Sequence, residues 1–339
     1  MLCIKCISHY SSIRYLQGNR HIRCKKCRIS RSKAYKIRHY LATLKWLFMM
    51  HIIVAPSLTL LLLCGDIHPN PGPVLPRSAR HPQAQLLTVA SWNVRTLLET
   101  KRTVARPSAI VSRELARYNI DIAALSETRV LGDTVLTEAG GGYTFYLKGK
   151  DSGEKCHHGV GFAIRSKLVD HLQGSLPIGI NERLMTMSLP LEDTTLSLIS
   201  AYAPTLASSD ESKETFYNML TDAITNIPFS HKLLVMGDFN ARVGADHTSW
   251  EKVIGKHGLG NENSNGTLLL SMCSQLELVI TNTIFQQANK HKTTWMHPGS
   301  KEWHMIDYVI TRQRDIKDIN HTRAMCGTVV LVYGLITDW

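Results

Sequence analysis

Short apolar runs alternate with amphipathic stretches between residues 86 and 311. Runs bounded by polar or turn-forming residues predict β-strands at 86–91, 121–125, 143–147, 159–165, 183–189, 195–202, 232–238, 277–283 and 304–311. Apolar residues at helical spacing predict helices at 103–118, 211–226 and 264–275, and Ser209 and Asp210 suit the start of the second. Many strands with few helices predict an α/β sandwich, in which β-sheets are buried between helical layers.

The first 85 residues do not follow this pattern. Residues 1–40 are basic and carry cysteines, residues 41–64 form an apolar run, and residues 65–85 form a proline-rich linker. The apolar run is long enough for a transmembrane helix, which needs roughly 20 residues, although Lys45 and Pro56 interrupt it. A buried leader is the alternative. Membrane contact and a membrane location are therefore expected only if 41–64 serves as an anchor.

The positive charge of the chain lies in this leader. The net charge is +12, from 39 basic and 27 acidic residues. Twelve basic residues fall within 1–65, before the first acidic residue, Asp66, which leaves 27 basic residues to balance the 27 acidic ones. A polybasic arm suits nucleic acid or an anionic membrane surface. For the neutral remainder, net charge predicts no partner.

Four cysteines near the N-terminus form two Cys-x2-Cys pairs, Cys3 with Cys6 and Cys24 with Cys27. Two such pairs at this separation match a tetrahedral Zn²⁺ site. A basic segment with four incidental cysteines is the alternative, because few apolar residues surround them. The other four cysteines are irregularly spaced, which favours a reducing compartment for the main domain.

Polar residues that suit a catalytic site lie at, beside or within the predicted strands. They are Asn93, Glu127, Tyr202, Asp238, Asn240 and Asp307. Side chains at strand ends project into the loops above a sheet, where sites on rigid scaffolds are common. Carboxylates and amides without a Lys or Cys nucleophile suit a hard divalent cation and the activation of water for attack on phosphorus. Tyr202 and Asn93, taken alone, equally suit the edge of a core.

The sequence motifs around these residues resemble those of a known family. SWNVRTL, ALSETR, SAYAP, GDFNARVG and IDYVI occur in that order. They resemble the endonuclease/exonuclease/phosphatase (DNase I-like) superfamily, and more narrowly the endonuclease domains of non-LTR retrotransposons and the craniofacial development protein 2-like proteins. The resemblance covers residues 86–327. It implies a four-layer sandwich of two β-sheets between helices, preceded here by the basic and apolar leader.

The resemblance also implies roles for the six residues. Glu127 would be the main ligand of Mg²⁺ or Mn²⁺, with Asn93 beside it, and no small-molecule cofactor is expected. Asp238 would orient or deprotonate the attacking water, while Asn240 and Tyr202 would contact the phosphate. Asp307 would support a histidine from the last core strand. The implied reaction is hydrolysis of a DNA phosphodiester that leaves a 3′ hydroxyl.

The chain departs from the family near its last residues. The family closes with a Ser/Thr-Asp-His motif, whereas here RAMCG at 323–327 is followed by a divergent tail, 328–339, that ends in Thr337-Asp338-Trp339. Loss of a catalytic histidine predicts weak or absent nuclease activity. A non-catalytic DNA- or chromatin-associated scaffold is one alternative, and a phosphatase or phosphodiesterase of the same superfamily is another. A nuclear or cytoplasmic location is expected for the domain.

Other residues carry weaker signals. Arg183 resembles a family position but equally suits a surface strand, and His158 is predicted to lie on a surface or loop. Before the domain, residues 66–73 resemble the 2A-like ribosome-skipping peptides of such elements, with matches at Asp66, Ile67, Asn70, Pro71, Gly72 and Pro73. His68 replaces the glutamate of that pattern. Skipping would leave Gly72 and Pro73 unjoined and release a protein that begins at Pro73.

Overall fold

Two β-sheets form the centre of the fold. The structure is a computed structural model that describes residues 87–98, 106–151, 158–172, 174–325 and 334–338. The strands are β1 (Thr88–Asn93), β2 (Ile122–Ser126), β3 (Asp133–Glu138), β4 (Tyr143–Lys148), β5 (Val160–Arg165), β6 (Ile178–Asn181), β7 (Leu184–Pro190), β8 (Thr195–Tyr202), β9 (Lys232–Asp238), β10 (Leu278–Ile280), β11 (Trp295–Met296), β12 (Trp303–His304), β13 (Asp307–Arg312), β14 (His321–Met325) and β15 (Gly334–Asp338). The helices are α1 (Pro107–Arg117), α2 (Ser166–Val169), α3 (Asp210–Thr225) and α4 (Ser264–Gln275).

The strands are arranged in two mixed sheets and one hairpin. The seven-stranded sheet has the order β14-β15-β1-β2-β5-β4-β3, and the six-stranded sheet has the order β10-β13-β9-β8-β7-β6. Within them β1 pairs with β2 and β8 pairs with β9 in parallel, while the other pairs are antiparallel. Strands β11 and β12 form a separate hairpin. Since β1 contacts β9 and β2 contacts β8, the two sheets pack face to face.

Alternation along β9 shows how the layers form. Leu233 and Val235 point away from the seven-stranded sheet, into the core that α3 and α4 cover. Leu234 and Met236 point the opposite way, into the core between the two sheets. Successive side chains of a strand face opposite sides, so a strand buried on both faces is apolar throughout. Fully burying each such side chain contributes about 1.5–3 kcal/mol.

The outer face of the seven-stranded sheet is covered by α1. Val111 and Leu115 of this helix pack against Ala123 and Phe145 of the sheet. The order of layers is therefore helix, sheet, sheet, helix. This confirms the predicted α/β class and the four-layer sandwich of two β-sheets between helices.

Side-chain caps fix the start of the two longest helices. Ser209 accepts a hydrogen bond from the backbone N–H of Ser212 (3.3 Å) at the start of α3, as predicted from the sequence. At the start of α4, Asn263 Oδ1 accepts from the N–H of Gly266 (2.8 Å) and from the N–H of Arg242 (3.0 Å). The second bond ties α4 to the loop that follows β9, and thus to the end of the sheet where the polar residues lie.

Two predicted strands are shorter than expected, and each difference has a local cause. The strand predicted at 277–283 ends at Ile280, because Asn282 bonds β13 through its side chain, Nδ2 to Asp307 O (3.1 Å) and Oδ1 from Val309 N (2.9 Å). The strand predicted at 304–311 begins at Asp307 instead. Just before it, the N–H of Ile306 donates to Thr294 Oγ1 (3.2 Å). The edge strands β3, β6 and β14, the hairpin β11–β12 and the strand β15 were not predicted.

The tail predicted at 328–339 contributes a strand. Its residues Gly334–Asp338 form β15, which pairs with β1 on one side and β14 on the other. Asp338 lies opposite Thr88 and Gly334 opposite Trp92. The tail therefore joins the seven-stranded sheet, with Asp338 beside the beginning of β1.

The N-terminal predictions lie outside the described residues. These are the zinc site at Cys3, Cys6, Cys24 and Cys27, the apolar segment 41–64, and the skipping motif with Asp66, Asn70, Pro71, Gly72 and Pro73. All three stay predictions. Within the part of the chain that the structure describes, no helix has the length and apolar content needed to cross a membrane.

Candidate active site

The polar residues predicted from the sequence meet at one edge of the two sheets. Asn93 ends β1, and Glu127 directly follows β2, its parallel neighbour. In the other sheet Tyr202 and Asp238 end the parallel strands β8 and β9 and lie opposite each other in the register. Asp307, the first residue of β13, lies opposite Asp238 on its other side. The carboxyl ends of parallel strands share one edge of a sheet, which is why these residues converge.

Asp238 is at the centre of this group. It is 3% exposed. Asn93 Nδ2 donates to Asp238 Oδ2 (2.9 Å), so this bond joins the two sheets, and the backbone N–H of Asn240 donates to Asp238 Oδ1 (2.9 Å). Asn240 Nδ2 in turn donates to the carbonyl of Ala203, the residue after Tyr202 (2.9 Å). Asn93, Asp238 and Asn240 therefore share one hydrogen-bond network, and this network reaches Tyr202 through its neighbour Ala203.

Burial makes these groups hard to ionise. Burial and, to a smaller extent, the Glu127 carboxylate raise the pKa of Asp238 to about 6, against the opposing effect of the Asn93 and Asn240 hydrogen bonds. Burial and the nearby Asp238 carboxylate raise the pKa of Asp307 well above its ordinary value. Burial also raises the pKa of Tyr202, with smaller contributions from Glu127 and Asp238. The phenol of Tyr202 therefore keeps its proton at neutral pH and acts as a hydrogen-bond donor.

Glu127 is held on a strained turn. Its φ is 58°, and Arg129 two residues later has a φ of 57°, both in the left-handed region that L-residues adopt at a cost of roughly 1–2 kcal/mol. The two side chains form an ion pair, Arg129 Nη2 to Glu127 Oε1, at 2.6 Å. Asn240, with φ 47°, is strained in the same way. Such strain persists where the surrounding structure holds it, and it clusters at functional sites.

Asp307 is buried without the partner that the family resemblance implies. It is 3% exposed, and its Oδ1 has no hydrogen-bond partner among the described residues. Its backbone N–H donates to Thr294 Oγ1 (3.3 Å), and its carbonyl accepts from Asn282. The backbone is thus satisfied, while one carboxyl oxygen is not. An unpaired buried carboxyl oxygen is costly and calls for an explanation.

Two further residues lie beside Tyr202, Arg183 and His158, and neither was assigned a role from the sequence. The guanidinium carbon of Arg183 is 5.5 Å from the centre of the Tyr202 ring, and the His158 ring lies 5.9 Å from it. His158 was predicted to lie on a surface or loop, and it lies half-buried in the loop before β5. The family position of Arg183 was the only signal for it, and the sequence held none for His158.

The donor atoms fit a hard cation in their chemistry. Glu127 offers a carboxylate and Asn93 an amide oxygen, and both suit Mg²⁺ or Mn²⁺. In the described conformation both groups already accept hydrogen bonds. The Arg129 guanidinium donates to Glu127, and the backbone N–H of Arg95 donates to Asn93 Oδ1 at 3.0 Å. Within the described ranges, no three Asp, Glu, His or Cys side chains are grouped as a metal site. A cation would therefore be held by a mixed set of carboxylate and amide oxygens.

Comparison with known proteins shows which family the chain belongs to. The model of the Endonuclease/Exonuclease/phosphatase family matches residues 90–321. Craniofacial development protein 2 of Bos taurus is 31% identical over 227 residues, which cover 67% of this chain and 36% of the relative. The protein of the same name from Tragulus javanicus is 30% identical, with coverages of 67% and 37%. The chain thus spans little more than a third of the length of these relatives.

Solved structures resemble the chain less closely. The endonuclease domain of TRAS1, a telomere-specific non-LTR retrotransposon, is 14% identical with a TM-score of 0.48 and covers 75% of this chain and 98% of its own. The 3′ phosphatase NExo from Neisseria, bound to product DNA hairpin, is 17% identical with a TM-score of 0.49, at 75% and 100% coverage. The chain belongs to the Endonuclease/Exonuclease/phosphatase family, whose members are nucleases and phosphatases that generally use divalent metal ions.

Proposed function

We propose that this domain hydrolyses phosphodiester bonds in DNA with the help of Mg²⁺ or Mn²⁺, and that it does so slowly in this chain. The observation that carries the proposal is the position of Asp238. It is buried at the junction of the two sheets, bonded to Asn93, and close enough to Glu127 for that carboxylate to raise the pKa of Asp238. The order of motifs around it, similar to retrotransposon endonucleases, supports DNA as the substrate.

The residues present support distinct roles. Glu127 and Asn93 would hold the cation, which supplies positive charge to the phosphate when bound. Asp238, with a pKa near 6, is mainly ionised at neutral pH and suits orientation of water or acceptance of its proton. Tyr202 keeps its phenolic proton and can donate to a phosphate oxygen. Asn240, whose amide bonds Ala203, lies beside it to position the same phosphate.

Slow hydrolysis is supported by the unpaired oxygen of Asp307. The family resemblance implies a histidine there, and the histidine that follows Asp307 within the described residues is His321. That residue lies opposite Asp338, which pairs with Thr88 at the beginning of β1. The site lies at the other end of β1, at Asn93. Thr88 and Asn93 are five residues apart, which is roughly 17 Å at the usual rise per residue. Neither His321 nor the Thr337-Asp338 pair is therefore placed to serve Asp307.

A second function, DNA binding without turnover, is favoured by the same observation. The hydrogen bond between Asp238 and Asn93 and the position of Tyr202 opposite Asp238 do not depend on an imidazole at Asp307. A domain that kept these contacts could bind a metal and DNA as a scaffold. Location in the nucleus or the cytoplasm remains part of this proposal.

Nicking of supercoiled plasmid tests the proposal. We expect slow nicking by the 339-residue protein in Mg²⁺ or Mn²⁺, stopped by EDTA and lost in Glu127→Gln. Glu251→Gln, which removes an exposed glutamate elsewhere, is the matched control and should not change the rate. Nicking of equal rate in Glu127→Gln would contradict the assigned site. Metal-dependent DNA binding without detectable nicking would instead support the scaffold.

A further inference from the structure

Arg183 is fixed firmly at the start of β7. Asn181 Oδ1 accepts from the backbone N–H of Arg183 (2.8 Å) and from that of Leu184 (2.9 Å), a side-chain turn that sets the direction of the chain. The carbonyl of Arg183 accepts from the N–H of Tyr202 (2.9 Å). The backbone positions of Arg183 and Tyr202 are therefore coupled before their side chains are considered.

The guanidinium returns to the same tyrosine. Arg183 Nη1 donates to the carbonyl of Tyr202 (3.1 Å), and its guanidinium carbon is 5.5 Å from the ring centre, within the range of a cation–π contact. Burial lowers the pKa of Arg183, but a guanidinium remains charged at neutral pH. A buried charge is unfavourable unless it is paired or bonded. Here the face of the Tyr202 ring and its carbonyl compensate for part of that cost.

His158 holds the other end of the guanidinium. The distance between Arg183 Nη2 and His158 Nε2 is 3.1 Å. Since an arginine N–H can only donate, His158 Nε2 is the acceptor, and its ring proton is on Nδ1. The carbonyl of His158 accepts from the N–H of Arg129 (2.8 Å), whose side chain pairs with Glu127. Arg183 thus lies between two elements that both belong to the site.

We propose that Arg183 is a positioning residue for Tyr202. It fixes the ring from one face, so that the phenol of Tyr202 is directed to the substrate phosphate, and His158 keeps the guanidinium in place. This inference rests on the proposed function, because it assumes that Tyr202 contacts phosphate. Tyr202 is only 7% exposed, so a small rotation of its ring would withdraw the hydroxyl from a bound DNA strand.

Another arginine of the domain provides a comparison. The guanidinium carbon of Arg314 is 3.7 Å from the centre of the Phe229 ring, and Arg314 also donates to the carbonyl of His231 (3.0 Å). The contact type is the same as at Arg183, but Arg314 lies two residues beyond the last residue of β13, whereas Asp307 is the first. Arg314→Gln is therefore a matched control that removes an arginine–aromatic contact away from the site.

A double-mutant cycle on DNA binding tests the inference. The affinity of the full chain for a fluorescent oligonucleotide would be measured in Mg²⁺ for the wild type, Arg183→Gln, Tyr202→Phe and the double variant. We expect Arg183→Gln to weaken binding about 3- to 30-fold, as for loss of a partly buried cation–π contact. It should weaken binding no further once the Tyr202 hydroxyl is absent. Arg183→Lys should restore part of the affinity, and Arg314→Gln should bind like the wild type.

Additive effects of the two substitutions would overturn the inference, since they would show that Arg183 acts without the Tyr202 hydroxyl. If Glu127→Gln changes metal-dependent binding and neither Arg183 nor Tyr202 variants do, the inference fails and the proposed function stands. The ring ¹³C resonance of Tyr202, assigned by its loss in Tyr202→Phe, gives a test without DNA. It should shift in Arg183→Gln and not in Arg314→Gln, and an unchanged resonance would contradict the positioning role.

Discussion

Asp238 and Asp307 lie directly opposite each other on the adjacent antiparallel strands β9 and β13, and each is 3% exposed. Residues opposite one another in an antiparallel pair project to the same face of the sheet. Two buried carboxyl groups therefore face each other, and the Asp238 carboxylate disfavours ionisation of Asp307. Asp238 has hydrogen bonds from Asn93 and Asn240 to compensate, whereas Asp307 Oδ1 has no partner among the described residues.

This pair predicts that Asp307→Asn stabilises the domain. An amide of the same shape removes one of the two facing acids and can donate to the Asp238 carboxylate. We expect a gain of about 1–2 kcal/mol in the free energy of unfolding at pH 7, measured by urea denaturation in EDTA. The control is Asp315→Asn. Asp315 is also buried, at 2% exposure, but its Oδ1 pairs with Lys232 Nζ at 3.1 Å, so its loss should destabilise. A comparable loss in Asp307→Asn would contradict the account.

The raised pKa of Asp238 predicts the sign of a pH dependence. In the unfolded chain this carboxyl ionises near pH 4, and in the folded protein near pH 6. Between these values the folded state holds a proton that the unfolded state has lost, so stability decreases as pH rises through the window. Two pKa units correspond to up to about 3 kcal/mol.

Urea denaturation in EDTA from pH 4 to pH 7 measures this dependence. The free energy of unfolding should decrease more steeply with pH in the wild type than in Asp238→Asn. Loss of the Asp238 charge also eases ionisation of Asp307, which acts in the same direction on the comparison. Equal slopes for the two proteins would show that the Asp238 carboxyl is not perturbed by burial.

The close packing of β8 against β9 at Gly237 predicts that a larger residue there disturbs the site. A Cβ at this residue would lie 1.8 Å from the carbonyl oxygen of Ala201, on the neighbouring strand β8. Gly237→Ala should therefore separate β8 from β9, and with them Tyr202 from Asp238, at a cost of about 3 kcal/mol or more. Gly140→Ala is the control, because a Cβ there meets nothing within 4 Å. Thermal unfolding should distinguish them, and equal midpoints would contradict the packing described.

The skipping motif predicts two translation products. In-vitro translation of the full reading frame should give a leader and a shorter protein that begins at Pro73, beside some full-length chain because His68 departs from the pattern. Pro73→Ala should remove the short products, while Pro76→Ala, a proline outside the motif, should not. A single full-length band from the wild-type frame would reject the motif.

Much of the fold could be predicted because it follows from local pattern. The strands at 195–202 and 232–238 and the helix at 264–275 have the predicted bounds, since apolar alternation and capping determine them. The ends of those strands gave Tyr202 and Asp238. The edge strand β3 was missed because its solvent-facing residues, which include the exposed Val135, alternate with half-buried ones. Among the described strands it pairs with β4 alone.

What could not be predicted depends on contacts between distant residues. Arg183 and Tyr202 are 19 positions apart and Arg183 and His158 are 25 apart, so no spacing rule brings them together. The left-handed backbone of Glu127 follows from the turn between β2 and the residues before β5, where Thr128 N bonds Gly159 O at 3.1 Å. That bond exists only once the sheet has formed.

The most direct test of the central claim examines the DNA ends that the protein produces. Nicked plasmid from a long incubation with the 339-residue chain in Mg²⁺ would be offered to a DNA polymerase with labelled nucleotides. The account predicts slow nicking whose ends are extended without prior phosphatase treatment, as a 3′ hydroxyl requires, and no signal above background for Glu127→Gln. Ends that the polymerase cannot extend, or equal extension after incubation with Glu127→Gln, would contradict it.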